Sequence, residues 1–173
     1  MPIETTRLIL RAPTTADVED FMEFRNSEFV LRYNAMNPTT RERVLAQFQQ
    51  DEDSETLLLE QKETGKVIGA LFVNEDSLRW KVASKELSYF MNEAYTRQGY
   101  MKEALRALIA HLFETENLTC ISARSFAPNL ASRALLESLG FHQDGLIRKC
   151  VQGYGGEIFD DILYSLFCGE FVT

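Results

Sequence analysis

One change of hydrophobic period, next to Gly99, constrains the fold of this chain more than any other feature of its sequence. Residues 85–91 have the pattern of a β-strand, and after the glycine the apolar residues recur at intervals of three and four. These residues are Met101, Ala104, Leu105, Leu108, Ile109, Leu112 and Phe113. Their spacing is typical of an amphipathic helix packed on a sheet. The sequence therefore predicts a strand that leads through a glycine turn into a helix over 100–116.

The remaining segments predict more strands and helices, and so a mixed α/β fold. Strand-like runs lie at 7–11, 55–61, 66–73, 119–126, 141–150 and 158–167. Helices are expected from Thr14, over 39–50 and over 129–139. A chain of 173 residues has about the usual size of one domain, and no repeat, low-complexity stretch or linker interrupts it. We therefore expect a single domain over residues 1–173.

The composition argues against several classes of function. A formal net charge of −8, with no cluster of Lys and Arg, argues against a nucleic-acid-binding surface. No window approaches the ~18 apolar residues that span a bilayer, so no contact with a membrane is expected. Cys120, Cys150 and Cys168 are far apart and lack C-x-x-C spacing, which encodes neither a disulfide framework nor a metal site. We expect a soluble, cytoplasmic protein without a bound metal.

The glycine turn before the long helix has the properties of an anion-binding site. The first N–H groups of a helix have no acceptor within the helix, and the helix dipole places partial positive charge there. Gly99 lets the backbone approach a ligand closely, and Arg97 and Lys102 supply positive charge that this acidic chain otherwise lacks. A pyrophosphate group suits such a turn. A plain tight turn flanked by two solvated cations would use the same residues, so the turn alone does not decide between them.

The sequence around this turn resembles a motif of a known family. The segment LSYFMNEAYTRQGYMKEA, residues 87–104, is similar to the acetyl-CoA-binding signature of the GNAT acetyltransferases, in which a strand with a bulged end precedes a Q/R-x-x-G-x-G/A loop. Thr96 and Met101 depart from that pattern. The branch that acetylates the N-termini of ribosomal proteins reads G-x-G-Y-x-x-E-A. Residues 99–104 match it, with Arg97 in place of the first glycine.

Three further segments extend the resemblance over nearly the whole chain. Residues 129–141 match the family's N-x-x-S motif, Asn129 to Ser132, and its helix ending in L-G-F. Residues 4–11 resemble the opening strand of the ribosomal-protein branch, and residues 160–166 resemble its closing D-x-x-x-Y-S-L. Four matches in the correct order indicate a GNAT-like N-acetyltransferase that resembles the RimJ/RimL-like branch.

The resemblance implies both a fold and a cofactor. The fold is a single α/β (α+β) domain whose central sheet is mixed, mostly antiparallel, twisted and splayed at the cofactor site. The cofactor is acetyl-CoA as co-substrate, with its pyrophosphate cradled by the amides of residues 97–102 and its pantetheine along residues 90–92. The residues implied to bind it are Phe90, Met91, Asn92, Arg97, Gln98, Gly99, Tyr100, Met101, Lys102, Asn129 and Ser132. Family analogy also suggests a homodimer.

Acetyl transfer from a thioester to an amine needs no nucleophilic Ser or Cys, because the amine attacks directly. It needs a proton acceptor for the amine, a polarised carbonyl and a proton donor for the leaving thiolate. Glu86, on the strand implied to lie beside the pantetheine, is the first candidate for the base or for holding the water that acts as base, with Glu93 next. Ser132 and then Tyr164 are candidates for the thiol proton, and the Met91 amide for polarising the carbonyl. Each of these side chains also has an ordinary structural interpretation.

The sequence leaves the acceptor open. The leading hypothesis is an N-acetyltransferase acting on a protein α-amine, such as the N-terminus of a ribosomal protein. A near variant acts on a small amine, for example a polyamine, an amino acid or an antibiotic. A non-catalytic acyl-CoA-binding module, with the phosphate turn but no working base, is an alternative of another class. Residues 31–38 resemble the variable loop that shapes acceptor pockets in the family.

Overall fold

The computed structural model describes residues 2–50 and 55–172, and within them one eight-stranded sheet forms the centre of the fold. Its strands are Ile3–Glu4 (β1), Leu8–Arg11 (β2), Thr56–Gln61 (β3), Val67–Glu75 (β4), Ser84–Met91 (β5), Cys120–Phe126 (β6), His142–Gln152 (β7) and Ile158–Phe167 (β8). They follow the order β1, β2, β3, β4, β5, β6, β8, β7. The β5–β6 pair is parallel and the other neighbouring pairs are antiparallel, so the predicted mixed, mostly antiparallel sheet is confirmed.

Within the same residues, α-helices cover both faces of the sheet. They are Val18–Arg25 (α1), Glu28–Leu31 (α2), Arg41–Gln50 (α3), Tyr100–Thr115 (α4) and Leu130–Ser138 (α5). Leu58, Ala70 and Phe90 are aligned across β3, β4 and β5, and they pack in the core cluster that contains α1 and α3. Their neighbours Leu59 and Met91 point to the opposite face and join the cluster that contains α4 and α5. Each face of the sheet thus has its own core.

Helix α4 supplies much of the core on its face. Seven of its residues are buried, and they repeat at the three- and four-residue intervals seen in the sequence. Fully burying a leucine or isoleucine side chain stabilises a fold by roughly 1.5–3 kcal/mol. The single apolar stripe of α4 therefore fixes the helix, and with it the position of its N-terminus, against the sheet.

The predicted strands and helices are present, with ends within two residues of the predicted ones, except that the helix expected from Thr14 starts as a 3-10 turn over Thr15–Asp17 and becomes α-helical at Val18. Helix α3 begins later than expected, because Thr40 rather than Thr39 caps it: Thr40 Oγ1 accepts from Arg43 N at 3.3 Å. Strand β1 and helix α2 were not predicted. With two and four residues, they are too short to establish a period.

A network of hydrogen bonds centred on Glu103 holds the N-terminus of α4 in place. The Glu103 carboxylate accepts from Thr5 Oγ1 at 2.6 Å, from Arg7 N at 2.8 Å and from Arg7 Nε at 2.7 Å. Arg7 also donates to Gln98 O at 2.9 Å, and its guanidinium lies 4.2 Å from the centroid of the Tyr100 ring. The Tyr100 hydroxyl in turn accepts from Gln61 Nε2 at 2.8 Å. The start of α4 is thus tied to the segment between β1 and β2 and to β3.

We expect Glu103→Gln to destabilise the fold in a pH-dependent way. Burial alone would raise the pKa of Glu103, but the hydrogen bonds from Thr5 and Arg7 outweigh it and lower that pKa. The resulting stability is present above the ordinary pKa of 4.5 and is lost as the pH falls through the lowered value. Urea unfolding at pH 7 should show a loss of about 1–2 kcal/mol, and the difference from wild type should shrink at acidic pH.

The exposed Glu114 on the same helix provides the matched control. Glu114→Gln should leave the free energy of unfolding within about 0.5 kcal/mol of wild type at pH 7. An equal loss in the two variants would mean that the Glu103 network does not anchor the helix.

Candidate active site

The sheet opens into a gap between β5 and β6. The two strands pair only from Ser84 to Leu87 and from Cys120 to Ala123. Beyond these residues β5 continues to Met91, paired with β4, whereas β6 continues paired with β8. The expected splay of the sheet is therefore present, and it begins one residue after the pair formed by Leu87 and Ala123.

The expected bulge at the end of β5 is absent from its pairing with β4. The register is continuous from Glu75 opposite Lys85 to Gly69 opposite Met91. Gly69 makes this possible, because a Cβ built on it would lie 2.9 Å from Met91 Cβ. The gap thus results from the divergence of β5 and β6 and not from a break between β4 and β5.

The gap is lined by backbone amide groups of β5. Asn92 N donates to Ile68 O at 2.9 Å, so residues 92, 90 and 88 are the ones that exchange hydrogen bonds with β4. By alternation, the N–H and C=O groups of Tyr89 and Met91 point away from β4, toward the gap. These groups can hydrogen-bond a pantetheine chain, and the Met91 N–H is available to polarise a carbonyl.

Beyond β5 the chain forms the turn in which the sequence predicts phosphate binding. Arg97 and Gly99 both have left-handed backbones, with φ of 60° and 81°. The bond from Glu103 N to Gly99 O, 3.0 Å long, begins the hydrogen-bond ladder of α4. The amides of Tyr100, Met101 and Lys102 therefore have no acceptor within the helix and can bind an anion.

Gly99 and Arg97 have roles in this turn beyond those predicted. The sequence assigns Gly99 to close approach of a ligand, and the structure adds that the left-handed φ itself favours glycine. A Cβ there would also lie 3.4 Å from Arg7 Nη2. Arg97 has the same left-handed conformation at the position where the ribosomal-protein branch has glycine. An ordinary side chain in that conformation costs roughly 1–2 kcal/mol.

The remaining predicted cofactor residues lie around the same gap. Asn92 is buried at the end of β5, and its Oδ1 accepts from Ala94 N at 3.0 Å. Gln98 is exposed in the turn. Phe90 is buried on the face of α1 and α3, so only its backbone is available to a ligand in the gap. Asn129 caps α5 by accepting from Ser132 N at 3.2 Å, which leaves its Nδ2 for a ligand.

Ser132 has a partner that the sequence did not reveal. Its Oγ lies 2.8 Å from the hydroxyl oxygen of Tyr89, on the same face of β5 as Met91. Burial raises the pKa of Tyr89 to about 12, although the hydrogen bond with Ser132 opposes this shift. Tyr89 therefore stays protonated. The alternation of side chains along β5 was the signal in the sequence, because it places Tyr89 on the same face as Leu87 and Met91.

Tyr164, the second predicted proton donor, lies further from β5. It is buried on β8, which is separated from β5 by β6. Its hydroxyl accepts from Arg133 Nε at 3.3 Å and donates to Glu137 Oε1 at 3.2 Å. Because that proton is committed to Glu137, Ser132 is the better placed of the two candidate donors.

Glu86 lies on the opposite face of β5, beside the point where the gap begins. In register it stands between Asn74 and Ser122. Its Oε2 is buried and has no hydrogen-bond partner within residues 2–50 and 55–172. Burial raises the pKa of Glu86, the charge of Arg124 lowers it, and nearby carboxylates raise it further, with a net upward shift. A carboxylate in this state is suited to accept a proton.

Glu93, the second candidate base, is exposed in the short turn after β5. The sequence did not predict the three charged residues that affect the pKa of Glu86, which are Arg124, Asp76 and Asp161.

Within the described part of the chain, no group of three or more His, Cys, Asp or Glu could hold a metal ion. No helix there is long and apolar enough to cross a membrane.

Comparison with known proteins identifies the family. Residues 7–142 match the model of the acetyltransferase (GNAT) domain. A protein of Bacillus subtilis (strain 168) named as the uncharacterized N-acetyltransferase YoaA is 28% identical over 171 residues, which cover 95% of each chain.

Two solved structures share the fold at low sequence identity. The ribosomal-protein-S5-alanine acetyltransferase of Vibrio fischeri aligns over 100% of both chains with a TM-score of 0.85 and 20% identity. RimL, a ribosomal L7/L12 α-N-protein acetyltransferase in complex with coenzyme A, aligns over 96% of this chain and 98% of its own, with a TM-score of 0.81 and 18% identity. Because the family model spans most of the chain, this protein belongs to the GNAT family and is an acetyl-CoA-dependent acetyltransferase.

Proposed function

We propose that the protein transfers the acetyl group of acetyl-CoA directly to a primary amine, and that the N-terminal α-amine of a protein, such as a ribosomal protein, is the acceptor. The observation that carries this proposal is the buried, unpartnered Oε2 of Glu86 beside the opening between β5 and β6. A buried carboxylate oxygen without a donor is unfavourable for the fold alone. A reaction that delivers a proton to this oxygen explains why the fold leaves it without a hydrogen-bond donor.

The cofactor is proposed to lie in the gap. Its pyrophosphate binds the amides of residues 97–102, and Arg97 and Lys102 add charge-assisted contacts. Its pantetheine follows β5 and hydrogen-bonds the backbone of Tyr89 and Met91. Asn129 Nδ2 donates to it from the other side. This arrangement brings the thioester into the gap beside Met91, five residues beyond Glu86 on β5.

The reaction then needs three groups of this chain. Glu86 Oε2 takes a proton from the ammonium through water, and the neutral amine nitrogen then attacks the carbonyl carbon and forms the N–C bond. The Met91 N–H stabilises the negative charge that develops on the carbonyl oxygen. When the C–S bond breaks, Ser132 Oγ gives a proton to the thiolate and takes the proton that leaves the new amide nitrogen, and the Tyr89 hydroxyl holds Ser132 in position.

The proposal of a protein α-amine as acceptor is supported by the names of two solved proteins that share this fold. The Vibrio fischeri protein and RimL are named for ribosomal-protein substrates, and RimL was solved with coenzyme A. A small amine is the second candidate acceptor, favoured by the aromatic cluster of Tyr33, Phe126 and Phe159 on the face of Glu86. A homodimer and a cytoplasmic location stay predictions.

We expect Glu86→Gln to separate catalysis from cofactor binding. Turnover at neutral pH should fall by about 10²–10⁴-fold, with partial recovery at high pH where the free amine needs no base. The measurement is CoA release with peptides bearing free N-termini, polyamines and amino acids as acceptors. CoA affinity should not change, because the phosphate turn is untouched.

Stability gives an independent check on the same variant. A raised carboxyl pKa means that the ionised form costs folding free energy; the cost is absent below the ordinary pKa of 4.5 and grows as the pH rises through the raised value. Glu86→Gln should therefore be at least as stable as wild type at pH 7, and Glu93→Gln should resemble wild type in both assays. Unchanged turnover of Glu86→Gln at every pH would assign the base elsewhere. No turnover of any amine by wild type would favour the acyl-CoA-binding module.

Two substitutions test the phosphate turn by removing its cations, Lys102 from the first turn of α4 and Arg97 from the left-handed position before it. Lys102→Gln should weaken CoA binding about tenfold or more but leave the binding of pantetheine unchanged. Arg97→Gly should weaken CoA binding similarly and also raise the melting temperature, because glycine adopts the left-handed conformation without strain. Isothermal titration and thermal unfolding measure these effects. Equal losses for CoA and pantetheine would contradict the assignment of the phosphate site.

The proton donor is tested by comparing three hydroxyl deletions. Ser132→Ala and Tyr89→Phe should lower kcat by about tenfold or more while leaving the KM for acetyl-CoA near wild type. Tyr164→Phe should instead lower the melting temperature, because Arg133 and Glu137 lose a partner, with kcat little changed. A large kcat loss confined to Tyr164→Phe would reverse the proposed roles.

A further inference from the structure

Two carboxylates near the gap share an unusual property. Glu86 Oε2 and Asp161 Oδ1 are buried, and neither has a hydrogen-bond partner among residues 2–50 and 55–172. Asp161 is only 4% exposed, and its other carboxylate oxygen accepts from Arg124 Nε at 2.7 Å. Buried polar atoms in folded proteins almost always have partners. Two free acceptor oxygens in one region therefore call for a ligand that brings hydrogen-bond donors.

The two oxygens belong to the same face of the sheet. Glu86 is paired in register with Ser122, and Asp161 is paired with Phe126. Side chains alternate along β6, so Ser122, Arg124 and Phe126 share the face of Glu86 and Asp161. Arg124 stands between the two carboxylates in this register, and its charge balances only one of them. The local formal charge is negative and suits a cation.

The neighbouring acidic residue Asp76 does not have this property. Its carboxylate accepts from Ser122 Oγ at 2.6 Å, from Leu78 N at 2.9 Å and from Arg79 Nη1 at 3.0 Å. Hydrogen bonds from Ser122, Leu78 and Arg79 outweigh burial and lower the pKa of Asp76. Asp76 is therefore satisfied by the fold, and within residues 2–50 and 55–172 the buried side-chain oxygens without a partner are those of Glu86 and Asp161.

Aromatic rings border the same region. Phe126, opposite Asp161, lies 5.3 Å from Phe159 between ring centroids, and Phe159 is two residues before Asp161 on β8. Tyr33, in the loop after α2, lies 6.4 Å from Phe126 and 6.2 Å from Phe159. Aromatic faces attract an ammonium group and also pack an apolar substituent.

We propose that Asp161 is a specificity-determining residue that, together with Glu86, selects an acceptor entering as a primary ammonium on an apolar or aromatic group. Asp161 Oδ1 accepts an N–H of the ammonium, whereas Glu86, paired four residues earlier along β6, receives the ammonium proton through water. Asp161 then keeps the neutral amine in position through a remaining N–H. The assignment rests on the proposed function, because the ammonium is the acceptor of that reaction.

Binding of a defined probe tests this assignment without turnover. Isothermal titration of the CoA-loaded protein compares 2-phenylethylamine with its neutral counterpart 2-phenylethanol. Wild type should bind the amine at least about tenfold more tightly than the alcohol. Asp161→Asn puts an amide in place of the free carboxylate and should remove most of this preference, with CoA affinity unchanged.

Asp160→Asn is the matched control. Asp160 lies one residue earlier on β8, so its side chain points to the other face, where Oδ1 accepts from Lys149 N at 2.8 Å. This variant should keep the full preference for the amine. Equal losses in Asp160→Asn and Asp161→Asn would overturn the assignment, as would a wild type without preference for the amine.

Arg124→Gln should change the preference for the amine in the opposite direction. This variant decides the question if Asp161→Asn does not fold. Removing the cation between the two carboxylates should increase the preference for the amine, and a decrease would overturn the proposal. In the acetylation assay, Asp161→Asn should raise the KM for 2-phenylethylamine about tenfold or more while changing kcat less. If wild type prefers the amine but acetylates none, the proposed function fails and the assignment of Asp161 stands.

Discussion

The site depends on the fact that β5 and β6 are parallel neighbours that part halfway along their length. Parallel strands need a long crossover connection, and here α4 is that connection. The helix has to start beyond the end of β5 and run back toward the beginning of β6. Its N-terminus is therefore at the same end of the sheet as the opening between the strands. One topological requirement places free strand amides and free helix amides side by side.

The charges around the opening form two parts, one that favours an anion and one that favours a cation. The chain has a net charge of −8, so a site for a polyanion cannot depend on the protein's overall field. Oriented amides at the start of α4, with Arg97 and Lys102 beside them, provide a local positive potential instead. On the other face of the sheet, Glu86 and Asp161 outweigh Arg124. In the proposed arrangement, the anionic cofactor and a cationic amine therefore approach different sides of the same opening.

The sequence was informative where function is encoded in a continuous segment. The strand, the glycine turn and the long helix could be predicted because the hydrophobic period and the turn residues are local signals, and α5 because Asn129 and Gly140 mark its ends. Contacts between distant segments could not be predicted. The Tyr89–Ser132 hydrogen bond spans 43 residues, and the placement of Asp161 on the same face of the sheet as Glu86 depends on the register of β5, β6 and β8. The sequence supplied candidates for the base and the proton donor but not the residues that surround them.

The width of the site depends on Gly69, a residue remote from the proposed chemistry. It is on β4, on the far side of β5 from the gap, and its missing side chain lets Met91 approach within contact distance. Any larger residue at position 69 would have to displace the end of β5 sideways, toward β6. The width of the gap is therefore set from behind the strand that lines it. In the proposed arrangement, a substitution at position 69 changes which acyl chains fit in the gap.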